Sequence, residues 1–204
     1  MAWVPPGKDC GTCGSATCSE FVARVAAGEK EPADCPFAGL CTEQAPESTA
    51  YTGTDVLGNN YDFVLTAFPG EPSARKFVVP FRPDLVERWD IRPGEIVTGR
   101  PAGPGCPVYH ALRVLSANPV TGVLACHTVG PLAARNGKVH DIQAYHVHAF
   151  EGIAAVISRP PALGTRQRFL PGYCMMDLSH TGVVNMVLNK KEGIHVRLED
   201  IRIQ

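Results

Sequence analysis

The sequence predicts an α+β chain in two parts: a small N-terminal cysteine module, made of a loop and a short helix, attached to a mainly antiparallel β domain of barrel or sandwich type. Three observations carry that expectation. Cys10, Cys13, Cys18 and Cys35 fall in the order C-x2-C-x4-C, with sixteen residues before the last. A polar stretch, TEQAPESTAYTGT, follows at 42–54 with the composition of a linker. Beyond it, short β-like runs alternate with turns drawn from the chain's 20 glycines and 18 prolines. The expected organisation is a ligand module at 1–41, a linker at 42–54 and a β domain of unassigned role at 55–204.

Composition narrows the function classes. The chain has 204 residues, 45% hydrophobic and 19% charged, with a formal net charge of −1. That balance gives no general attraction to nucleic acid or to an anionic membrane. The start, MAWVPPGKDC, has no apolar signal core, which predicts a cytoplasmic protein. No apolar run reaches the roughly 20 residues that cross a bilayer, so direct membrane insertion is not expected. In a reducing compartment, clustered thiols hold metal or do redox chemistry rather than form disulfides.

Within the module, PPGKD delivers Cys10 as a turn. Gly11 and Gly14 follow Cys10 and Cys13 directly, where a missing side chain lets the backbone curl and turn N–H groups toward sulfur. Ser19 to Ala27 reads as a short helix with Phe21, Val22 and Val25 on one face and Gly28 as its stop. Cys18 then sits at the positive end of that helix, a favourable place for thiolate charge. Residues 29–34 form a polar return loop to Cys35, and Pro36 stiffens the exit. The spacing is a ligand set for an iron–sulfur cluster. Zinc is the alternative for four thiolates, but structural zinc sites pair two CxxC knuckles, whereas here three ligands are bunched and the fourth stands alone before proline.

CGTC, GSATC and DCP resemble the four-cysteine iron–sulfur domain of the B subunit of the Rnf electron-transport complex and of the large subunit of the corrinoid iron–sulfur protein. The resemblance covers about the first 40 residues. It implies one 4Fe–4S cluster on Cys10, Cys13, Cys18 and Cys35, and a setting in anaerobic, low-potential metabolism.

In the β domain, 61–68 and 76–81 read as strands, and 84–89 as a short helix with Asp84 as N-cap and Glu87 completing a capping box. A strand follows Pro93-Gly94. Residues 109–116 and 120–129 read as a hairpin about Asn118-Pro119, 140–150 and 153–158 as two strands interrupted at Glu151-Gly152, and 182–188 with 194–203 as a closing hairpin. No GxGxxG or GxxxxGK[ST] sequence occurs, which argues against Rossmann and P-loop folds.

A second constellation lies in this domain. Cys106 and His110 share the loop GPGCPVYH, and His146 and His148 point to one face of a strand, as an HxH metal pair requires. These four are the candidates for a second metal site. Cys41, Cys106, Cys126 and Cys174 are the remaining thiols that a second cubane would need. The competing reading makes the cysteines small buried hydrophobes and the histidines sheet residues. An organic cofactor such as a flavin or corrinoid is a further option. Ser179-His180 are adjacent, which is not triad geometry. The expected function is electron transfer, or redox support of a partner protein, with a redox enzyme and a cluster-based sensor as alternatives.

Overall fold

The computed structural model describes residues 9, 11–35, 51–103, 106–135, 138–172 and 176–203. Cys10, Pro36, Cys41, Cys174 and linker residues 42–50 lie outside them. The chain divides into two compact units, Met1–Ala50 and Tyr51–Gln204, each described by itself.

Among the described residues of the N-terminal unit there is one α-helix, α1, Cys18–Ala26. Thr17 caps it: its hydroxyl accepts the Glu20 N–H at 3.0 Å, and the Glu20 carboxylate accepts the Ala16 N–H at 2.8 Å. A cap of this kind stabilises a helix by about 1 kcal/mol. Gly28, at φ +73°, ends the helix, with Gly28 N–H donating to Val25 and Glu29 N–H to Arg24. Phe21 is its fully buried side chain. A short 3-10 turn, Pro32–Asp34, then leads into Cys35.

The second unit is mostly β. Its strands are β1 (Phe63–Thr66), β2 (Arg75–Pro80), β3 (Ile96–Pro101), β4 (His110–Ala117), β5 (Leu124–Val129), β6 (Val139–Ala155), β7 (Arg166–Pro171), β8 (His180–Lys190) and β9 (Gly193–Ile203). They form one nine-stranded sheet in the order β1-β7-β8-β9-β6-β2-β5-β4-β3. This corrects the expected α+β fold with an antiparallel barrel or sandwich. The sheet is mixed, because β1 runs parallel to β7 and β3 parallel to β6. It does not close as one barrel. Both ends of the strand order return to the long β6, through β1–β6 and β6–β3 pairing, so the sheet folds over that strand.

Three apolar clusters result among the described residues. One gathers Phe63, Phe150, Phe169 and Leu198; another gathers Val78, Leu112, Leu124 and Tyr145; a smaller one gathers Tyr61, Val64 and Leu170. β6 supplies residues to the first two.

Three local expectations change. β6 is a single strand of 17 residues and Glu151-Gly152 does not interrupt it. Gly152 is there for proximity: a Cβ would fall 2.2 Å from the Thr66 carbonyl oxygen of the paired β1. The short helix α2, Asp84–Arg88, has Pro83 at its N-cap, and the Asp84 carboxylate instead takes the Arg82 guanidinium at 2.7 Å. β7 had no sequence counterpart. The two hairpins β4–β5 and β8–β9 stand as read, the first with the Asn118 side chain accepting the N–H groups of Val120 and Thr121 at 3.0 and 3.1 Å.

Candidate functional site

In the N-terminal unit, local structure positions three of the four candidate ligands that are described. Cys13 sits between Gly11 (φ +68°) and Gly14 (φ +75°), whose left-handed backbone only glycine adopts without strain. Gly14 N–H donates to Gly11 at 2.9 Å, closing a turn around Cys13. Cys18 is the first residue of α1, and its N–H donates to the Asp9 carboxylate at 2.7 Å. Cys35 is buried, its N–H held by Pro32 at 3.1 Å. The amides of Gly14 and of the helix start, expected to point at sulfur, are thus partly engaged within the protein. Cys13, Cys18 and Cys35 are free thiols.

The surroundings fit a thiolate-held cluster. Ser15, between Cys13 and Cys18, is buried, and its hydroxyl has no partner among the described residues. Two cations lean on the same loop: Lys30 donates to the Cys13 carbonyl, and Arg24 to the Gly14 carbonyl at 3.3 Å. They bring positive charge to a loop whose bound thiolates carry negative charge.

In the second unit the four second-site candidates do not converge. Cys106 and His110 line a common cavity. His146 and His148 share one face of β6, as read, but it is the outer one: both are exposed. The His146 ring packs on Phe81 at 4.5 Å, and His148 Nε2 lies 3.9 Å from Glu199. Among the described residues no three His, Cys, Asp or Glu side chains are grouped for one metal ion. Cys126 is wholly buried, and burial pushes its thiol up to about 12, as suits an inert core residue. Ser179 donates its hydroxyl to the buried Asp55 at 2.6 Å, and His180 Nδ1 donates to the Leu178 carbonyl at 2.9 Å, so this pair is not a nucleophile and base.

The cavity shared by Cys106 and His110 holds about 90 Å³ and is also lined by Lys76, His180, Phe150 and Val147. Burial, reinforced by the Lys76 charge and by His180, lowers His110 to about 3. Burial, with Lys76 adding to it, lowers His180 to about 4. Both imidazoles are therefore neutral at pH 7. Tyr145 meets His110 Nδ1 at 2.9 Å, and burial, then the Cys106 and Cys126 thiols, hold its phenol far above the usual range. The sequence does not mark Lys76 as a site residue, although period-two alternation with the buried Val78 and Pro80 places it on the inner face of β2.

Comparison with known proteins adds two findings. Residues 6–37 match a family model described as "Putative Fe-S cluster". The chain is 29% identical, over 216 aligned residues, to an uncharacterized protein, MJ0119, of Methanocaldococcus jannaschii, covering 95% of this chain and 90% of that protein. No solved structure matches it. Among the described residues no helix is long and apolar enough to cross a membrane. The family match supports an iron–sulfur domain at the N-terminus, over residues 6–37.

Proposed function

We propose that the N-terminal unit binds one 4Fe–4S cluster through Cys10, Cys13, Cys18 and Cys35, and that the protein passes electrons to or from a redox partner protein. The observation that carries this reading is the iron–sulfur family match over the stretch that contains all four cysteines. When bound, such a cluster supplies one electron at a time, at a potential set by burial, charge and hydrogen bonds to sulfur. The residues of this chain set those terms. Buried Cys35 shields one ligand from water, and Lys30 and Arg24 favour the added negative charge of the reduced state. Low-potential metabolism is the setting proposed for it, by analogy with proteins that carry the same cysteine pattern.

Electron paramagnetic resonance of anaerobically purified protein tests the reading. Dithionite reduction is expected to give the signal of a single reduced 4Fe–4S centre, which reoxidation removes. A protein that stays silent after reduction, while holding zinc, would overturn it.

A second reading, a redox enzyme whose β unit takes an organic ligand, is favoured by the cavity beneath Lys76 and His110. A volume of about 90 Å³ suits a molecule of few non-hydrogen atoms and is too small for a flavin ring system or a corrin.

A further inference from the structure

The cavity in the second unit is walled largely by carbon, with Phe150, Val147 and Ile201, and it meets polar groups at Lys76 from β2, His110 from β4 and His180 from β8. Lys76 has partners of its own within the chain, and its Nζ lies 5.2 Å from the centre of the Phe150 ring, so its charge is already engaged inside the protein. His110 meets the Tyr145 hydroxyl through Nδ1 at 2.9 Å.

His180 is different. It is 8% exposed, and its ring stands at 89° to that of Phe150 with the centroids 5.9 Å apart. Nδ1 lies 2.9 Å from the Leu178 carbonyl; a carbonyl oxygen only accepts, so Nδ1 carries the ring proton. Burial keeps the ring neutral at pH 7, which leaves Nε2 a bare acceptor. Among the described residues Nε2 has no partner, and the ring forms part of the cavity wall, so this lone pair faces the hollow. An enclosed acceptor without a donor costs stability that an entering donor recovers. An apolar hollow with a placed polar atom is the usual make-up of a small-molecule site.

We propose that this cavity binds a small uncharged aliphatic alcohol of about three to five carbons, its hydroxyl donating to His180 Nε2 and its hydrocarbon lying against Val147 and Ile201. The volume of about 90 Å³ sets the size, being well below the roughly 150 Å³ of a dry hollow that takes benzene. The proposal gives a ligand class to the organic-ligand reading of the β unit and rests on that reading. It uses nothing of the cluster unit.

The test uses the full chain with its cluster, labelled with 15N at the histidine rings, and titrates it with 1-propanol, 2-butanol and 2-methyl-1-propanol. At least one is expected to move the His180 Nε2 signal upfield, saturably and with a Kd of about a millimolar, while the exposed His146 and His148 stay unmoved. Butanone keeps the carbon skeleton of 2-butanol without its hydroxyl, and butyrate adds a charge. Both are expected to bind at least about tenfold more weakly than 2-butanol. Ile201→Trp, which fills the hollow, is expected to abolish the saturable shift. Should that variant not fold, the comparison of 2-butanol with butanone and butyrate on the unaltered protein decides. Equal or tighter binding of butanone or butyrate overturns the alcohol and leaves the cavity a ligand site; no saturable shift with any of these compounds overturns both.

Discussion

Lowering the pH from 8 to 5 is expected to destabilise the β unit by several kcal/mol, through two histidines that fold neutral. His110 and His180 have folded values near 3 and 4, below the roughly 6.5 of an unfolded imidazole. Between those values the unfolded chain binds more protons than the folded one. The stabilisation is therefore complete above about pH 6.5 and is lost as the pH falls toward the folded values. At pH 5 each imidazole contributes a loss of about 2 kcal/mol, about 4 kcal/mol together. His127, which burial also lowers, acts in the same direction. The depressed carboxylates lie outside this window: Glu95, held near 2 chiefly by the Lys138 ammonium and then the Arg92 amide, titrates only at lower pH. Urea unfolding followed by far-ultraviolet circular dichroism reads the effect. With a slope of about 2 kcal/mol per molar urea, the midpoint should fall by about 2 M between pH 8 and pH 5. His180→Gln should remove about half of that pH-dependent shift, whatever it does to absolute stability. A midpoint constant across this range, or an unchanged shift in His180→Gln, would refute the assignment of neutral buried imidazoles.

Two further outcomes are expected. Asp55 accepts from the amides of Leu57, Asn59 and Ser179, from the Asn59 side chain and from the Ser179 hydroxyl at 2.6–3.3 Å, tying residues 55–59 to the start of β8. Burial opposes its charge, yet the bonds from Ser179 and Asn59 outweigh it and hold the carboxyl well below the usual range. Asp55→Ala should cost about 3 kcal/mol and lower the melting temperature by roughly 6–12 °C in a calorimetric scan. Lys30→Met should leave the cluster in place but move its midpoint potential to more negative values in a redox titration, because it removes a positive charge held at the Cys13 carbonyl that favours the reduced state.

What the sequence made legible is local. The helix after Cys18 is visible because Phe21 and Val25 share a face and Gly28 must end it, and the two hairpins are visible from Asn118 and Gly193. What it hid depends on partners far along the chain. The parallel pairing of β1 with β7, a hundred residues apart, leaves no mark in either strand, so an antiparallel barrel or sandwich was the natural extrapolation from short strands. Gly152 looks like a break until β1 is seen lying against it. The candidate sites divide the same way. The cysteine spacing of the module is contiguous and readable, whereas Cys106 and His110 were grouped with His146 and His148 although β6 carries those two on its outer face. Lys76 and His180 join His110 only through the folding of β2, β4 and β8 around one hollow.

Iron and acid-labile sulfide analysis of the anaerobically purified chain, beside its Cys35→Ala variant, tests the central claim most directly. The account predicts about four irons and four sulfides per chain, lost in the variant, with no zinc in their place. Zinc at about one per chain, or an iron content unchanged when Cys35 is removed, would contradict it.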